Sequence, residues 1–223
     1  MAKNRLADMT MDYSDVAAEM FEDGVELDNE VSLRIMANMT RHKMRRIQSE
    51  MALEEKLPWY WEQGVSYHCI SSGDVDGLTY FRACVKQQRI KYALLATWSM
   101  AAEDIREIRH WVNNGYIKRI DCYVGEMFLS AGRSLERREL INLCRGCGGR
   151  LVIFRTHAKV IAGFGEQFDF AIAGSANINT NPRVEEMIIT VDSDLAKFYK
   201  EYFDEVQSFE RNFDEVKPWQ PES

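Results

Sequence analysis

The chain has 223 residues, 46% of them hydrophobic and 28% charged, with a formal net charge of −7. That balance suits a globular protein able to bury its own core without staples, and the negative charge argues against wholesale electrostatic capture of nucleic acid. The longest apolar runs, such as YALLATW, are far too short to span a bilayer, and the opening MAKNRLADMTMDYSD has no apolar signal region, so neither a membrane partner nor export is expected.

Residues 1–27 are rich in acids and weakly periodic, and read as an arm or short docking helix through which a protein partner would bind. Asn29 to Leu57 lacks Gly and Pro and reads as one long helix. Residues 1–57 are therefore an N-terminal acidic arm and helix, set apart from an α/β domain over residues 58–223. Within the helix, Arg41, Lys43, Arg45 and Arg46 are candidates for contact with a nucleic-acid backbone; a solvated helix face is the plainer alternative. Pro58 stops the helix.

From Val65 strands and helices alternate. VSYHCIS reads as a strand, and Asp74 or Asp76 then caps a helix with Leu78, Phe81 and Val85 on one face. IKYALLATW is a continuous apolar strand, as in a sheet covered on both faces. Ser99 is placed to cap a helix that buries Ile105, Ile108, Trp111 and Val112 and ends at Gly115. YIKRIDCYV is a third strand, Ser134 opens another helix, and RLVIFRT is a fourth strand. HAKVIAGF, FDFAIAGS and EMIITVD add further strands, and a last helix spans about Ser193 to Phe209. The order predicts a mixed, mostly parallel sheet with helices on both faces. Ligands of such sheets sit at the carboxyl ends of strands, which puts Thr97, Trp98 and Ser99 near the rim of a site.

The five cysteines of a signal-free chain point to reduced thiols and a cytoplasmic location. Cys144 and Cys147 form half of a zinc pattern with no second half, so no metal and no cofactor is expected.

The densest chemistry lies in RTHAKVIAGFGEQFDFAIAGSANINTNPRVEE, Arg155 to Glu186. On a strand, residues two apart share a side, so His157 and Lys159 project together. They pair a group able to act as nucleophile or acid with a fixed positive charge. Gly174 permits a tight turn, and Ser175 and Asn177 can donate to an anion. Glu185 or Glu186 can bond an imidazole nitrogen and fix its tautomer. Arg155 and Arg183 flank the stretch and would either extend a phosphate track or serve in surface salt bridges.

These residues resemble the phospholipase D superfamily, whose motif is His-x-Lys, four residues, Asp, six residues, Gly-Gly/Ser and usually x-Asn. His157, Lys159, Gly174, Ser175 and Asn177 match it, and NPRVEE is similar to the family's downstream segment. Two features depart from the pattern. Phe164 stands at the family Asp position, and the Lys-to-Gly separation is 15 (174 − 159) where the family has 12. A lengthened hairpin turn explains the second, and leaves Asp169 on its far side.

The resemblance implies a metal-independent phosphodiesterase that works through a phosphohistidine. A single motif implies a homodimer, with two His157 side chains meeting near a two-fold axis, one attacking phosphorus and the other protonating the leaving oxygen. Lys159 and Asn177 would stabilise the equatorial oxygens. The chain is short and lacks a basic amphipathic membrane helix, which favours nucleic acid over lipid as substrate. The alternatives are a catalytically impaired relative that binds phosphate groups without cleavage, to which Phe164 points, and an assembly or interaction module.

Overall fold

A computed structural model of the chain describes residues 50–58, 60–72, 75–179 and 183–221, all within one compact unit, Arg46–Ser223. The acidic arm and Arg41, Lys43, Arg45 and Arg46 lie outside the described residues, as does Asp74. Of the long helix expected over Asn29 to Leu57, residues 50–56 are described, and they are helical.

Strand β1 (Ser66–Ser71) leads to helix α1 (Gly77–Gln87). Asp76 is its cap: the carboxylate accepts from Thr79 N at 2.9 Å and from Thr79 Oγ1 at 2.8 Å. Leu78, Phe81 and Val85 are buried as their spacing predicts. Strand β2 (Ile90–Thr97) is apolar throughout its centre because both its faces are covered. Helix α2 (Ala102–Asn113) starts later than a Ser99 cap would place it. Its first turn is closed instead by Asp104, whose carboxylate accepts from Ala101 N at 2.9 Å. Gly115, at φ 72°, ends it in a conformation that a side chain would disfavour.

Strand β3 (Ile120–Gly125), helix α3 (Ser134–Gly146) and strand β4 (Leu151–Phe154) follow. Strands β5 (Val160–Gly165), β6 (Asp169–Gly174) and β7 (Glu185–Thr190) come next. Helix α4 (Ser193–Asp204) is capped by Asp192, which accepts from Leu195 N at 2.8 Å. It stops short of the expected Phe209. The chain there turns along β4 instead, and Phe209 N donates to Ile153 O at 2.7 Å, so this sheet edge is not left bare.

The seven strands pair in the order β1-β7-β6-β5-β2-β3-β4. The architecture is mixed α/β as expected, but "mostly parallel" needs correcting in one sense. Five strands (β1, β2, β3, β4 and β6) point one way, yet only β2–β3 and β3–β4 are parallel neighbours. The other four pairings are antiparallel. The reason is that the hairpin strands β5, β6 and β7 insert between β1 and β2 and alternate in direction.

Helices cover both faces. Phe81 of α1 meets Trp111 of α2 edge-on at 5.6 Å and Phe170 of β6 at 6.4 Å. On the other face, Ala196 and Phe203 of α4 pack with Tyr92, Leu94, Ala96, Tyr123, Val152, Ala162 and Phe164. Trp219 of the tail closes this layer, stacked on Tyr92 at 4.7 Å. At the amino end of β3, the fully buried Asp121 accepts from Tyr92 Oη at 3.0 Å, from Arg119 Nε at 3.2 Å and from Arg150 N at 3.0 Å. A buried carboxylate is tolerated only when satisfied in this way.

Candidate active site

The candidate residues collect where β1, β2, β3, β4 and β6 end and β5 and β7 begin. The route of the chain puts them there. Between β4 and β5 it must cross the ends of β3 and β2, three inter-strand steps or roughly 14 Å. Residues 155–159 make that crossing outside any strand. His157 and Lys159 therefore do not share a strand face, contrary to expectation. They meet because the crossing segment folds Lys159 back on His157: its ammonium lies 3.0 Å from His157 Nδ1 and 2.9 Å from His157 O. Thr156 Oγ1 accepts from Ala158 N at 3.0 Å and shapes the bend. His157 is exposed and Lys159 half-buried. Burial lowers the Lys159 pKa, and the nearby Glu185 carboxylate opposes that shift.

Gly174 lies beside Lys159, donating its N–H to Lys159 O at 3.3 Å. A Cβ on Gly174 would stand 2.1 Å from Glu186 O, so only glycine lets β6 and β7 approach this closely. Ser175 N donates to Glu186 O at 2.8 Å. Its hydroxyl donates to the buried Glu185 carboxylate and accepts from Glu186 N at 3.0 Å. Ser175 thus braces the start of β7. Glu185 is held by Ser175 rather than by the imidazole, and Glu186 is exposed, its Oε1 4.0 Å from His68 Nδ1 on β1.

Asn177 accepts Gly77 N at its main-chain oxygen, 2.8 Å away, which ties the turn to the start of α1. Its side-chain Oδ1 is buried without a hydrogen-bond partner, as is Asn179 Oδ1. Ser71 faces Glu185 across the β1–β7 pairing and sits by the Tyr80 phenol, which burial pushes up to about 12. Each orphaned Asn oxygen costs about 1–3 kcal/mol, a cost expected where a polar ligand or water completes the bonding. Ser71 and Asn179 were missed in the sequence. Asn179 lies two residues beyond Asn177 in the same turn, a readable signal, whereas Ser71 is brought here by long-range pairing alone.

Arg155 is exposed and pairs with Glu126 at 3.3 Å; Arg183 is exposed. Phe164 is not at the site. It is buried in the aromatic layer, 5.9 Å from Tyr92 and 5.2 Å from Trp219. Asp169 pairs with Phe164 in the hairpin and accepts from Gly165 N at 3.2 Å. Five residues of strand place it roughly 16 Å from Lys159, so it does not fold back to the site. The lengthened turn beyond Gly165 is held by Gln88, whose Oε1 accepts from Gln167 N at 2.7 Å and Phe168 N at 3.0 Å.

Among the described residues no group of three metal-ligating side chains comes together, and no helix is long and apolar enough to cross a membrane. Cys144 is buried within α3 and Cys147 is half-buried at its end.

No protein-family model matches the chain, and neither does any curated protein sequence. Its fold is similar in outline to several solved structures. The archaeal chromatin protein TrmBL2, described as showing a novel mode of DNA binding, has a TM-score of 0.48 at 11% identity, over 85% of this chain and 67% of that one. NucT from Helicobacter pylori has a TM-score of 0.46 at 16% identity, over 62% of this chain and 94% of that one. Nuc from Salmonella typhimurium, a phospholipase D family member, has a TM-score of 0.44 at 16% identity, over 62% and 91%. At these scores the likeness carries no chemistry, which rests on the side chains above. Phospholipase D family members thus stand among the solved structures that this chain resembles, at low sequence identity.

Proposed function

We propose that the chain is a phosphodiesterase acting on nucleic acid through a phosphohistidine, at a site completed by a second copy of itself. The observation that supports it most is the exposed His157 imidazole held 3.0 Å from the Lys159 ammonium, with Glu185 buried behind the pair.

An ammonium only donates, so Nδ1 of a neutral His157 accepts from it and the ring proton sits on Nε2. Attack by Nε2 needs the proton on Nδ1 instead. In this reading an incoming phosphate draws Lys159 away from Nδ1, which frees the imidazole to change tautomer. Substrate binding and nucleophile activation are then one event. Nε2 attacks phosphorus as the ester bond breaks, and the second copy's His157, carrying a proton on both ring nitrogens, gives its Nε2 proton to the leaving oxygen and is left neutral. Water, deprotonated by that same second imidazole, then cleaves the phosphorus–nitrogen bond. Lys159 and Asn177 hold the equatorial oxygens, and Ser175 and Gly174 fix the wall of the pocket.

The test is cleavage of single- and double-stranded DNA, RNA and a chromogenic phosphodiester, all with chelator, by wild type, His157→Ala and Lys159→Ala. Cleavage lost in both variants supports the reading. Sedimentation tests the dimer, and a strict monomer that still cleaves would remove the second imidazole from the scheme. A second reading, phosphate binding without turnover, is favoured by Phe164 lying in the core with Asp169 far from the site. Binding without cleavage of any of these substrates would support it.

A further inference from the structure

Trp98 directly follows β2 on the rim of the site, with 40% of its surface exposed. An indole left this open keeps roughly 100 Å² of largely apolar surface in water. Its setting is tightly defined. A Cβ on Gly125, at the end of β3, would meet Trp98 Cδ1 at 3.0 Å and Trp98 O at 3.1 Å, so the indole rests directly over that glycine. Its ring centroid lies 5.6 Å from that of His157, with the planes inclined at 44°. A supported, open aromatic surface therefore adjoins the group that would attack phosphorus.

Taking the phosphodiesterase reading as its basis, we propose that Trp98 is the stacking platform for an unpaired nucleobase next to the scissile phosphate, making single-stranded nucleic acid the preferred substrate class. In a single strand each base hangs beside its backbone phosphate, and every base has a π-face that an indole can accept. Duplex bases are held in their own stack and must be extruded first. A lipid phosphodiester with an aliphatic or small polar head has no such face. Arg183 is exposed and so is Arg155, whose partner Glu126 a phosphate would have to replace.

The experiment separates stacking from catalysis. Full-length His157→Ala, which leaves the strand uncut, and His157→Ala with Trp98→Ala or Trp98→Phe are titrated by the fluorescence anisotropy of a dye at the end of the strand. The ligands are an oligothymidylate and an abasic strand of equal length. Removing the indole should raise the Kd for oligothymidylate about tenfold or more while moving that for the abasic strand less than about twofold, and Phe should restore most of the difference. With His157 present, the kcat/KM ratio of base-bearing to abasic strand should fall by a similar factor in Trp98→Ala. Equal losses on both strands, no loss on either, or no measurable binding of either strand would overturn the proposal. If the wild type cleaves nothing, the catalytic reading falls, but the titration still decides whether Trp98 holds a base.

Discussion

Phe164→Asp puts a carboxylate back at the position where the phospholipase D motif has one, and it should damage the protein rather than repair it. Phe164 is 7% exposed and lies 5.9 Å from Tyr92 and 5.2 Å from Trp219. Removing a buried aromatic ring costs about 3–5 kcal/mol, and a carboxylate desolvated in the same place adds to that. In a chain of this length, each kcal/mol moves the melting temperature by about 2–4 °C, so a fall of roughly 6–20 °C follows. Phe164→Leu, which keeps most of the apolar volume, should cost about 1–2 kcal/mol. Thermal unfolding followed by circular dichroism measures both, with phosphodiester cleavage assayed alongside. A Phe164→Asp protein that melts within about 2 °C of wild type and cleaves faster would refute this placement of Phe164.

Asp169→Ala should leave cleavage at the wild-type rate, since Asp169 serves the hairpin turn through Gly165 N; a large loss of kcat would show that it reaches the site. Gly174→Ala should abolish cleavage and destabilise the fold by about 2 kcal/mol or more, because the new Cβ falls 2.1 Å from Glu186 O; denaturant unfolding and activity test both. In the proposed scheme Lys159 clamps phosphate only as the ammonium, and burial lowers its pKa. The alkaline fall of kcat/KM should therefore come at a pH below the ordinary lysine range. Glu185 opposes that shift, so Glu185→Gln should move the alkaline fall to still lower pH; a pH–rate profile unmoved or shifted upward would contradict it. Asp121→Ala leaves Arg119 and Arg150 without their shared buried partner and should cost about 3–5 kcal/mol by chemical denaturation.

Local pattern made the elements legible where one face was buried and one exposed. Leu78, Phe81 and Val85 marked α1, and the unbroken apolar run of β2 announced a strand covered on both sides. Pairing partners were not legible, because Ser66–Ser71 finds Glu185–Thr190 across more than a hundred residues. That one pairing explains the arrival of Ser71 at the site, and the insertion of β5, β6 and β7 between β1 and β2 explains the antiparallel majority of neighbours. The His157–Lys159 meeting was foreseen for the wrong reason. Strand alternation suggested it, but the crossing from β4 to β5 produces it, and only the strand order could have shown that crossing. Ser99 was a reasonable cap by residue type, yet Asp104 closes the first turn from within the helix. Ser175 and Glu185 were both read as site residues, but as separate functions; their mutual bond depends on the β6–β7 register, which no short motif encodes.

The phosphohistidine is the central claim, and trapping it tests the account most directly. Full-length protein mixed with a slowly hydrolysed phosphodiester in chelator, quenched at alkaline pH and digested, should yield a peptide carrying an acid-labile phosphoryl adduct on His157 by mass spectrometry. The adduct should form at the rate of the burst of leaving group and be absent in His157→Ala. Cleavage that proceeds at full rate with no adduct on His157, or that persists in His157→Ala, would contradict it.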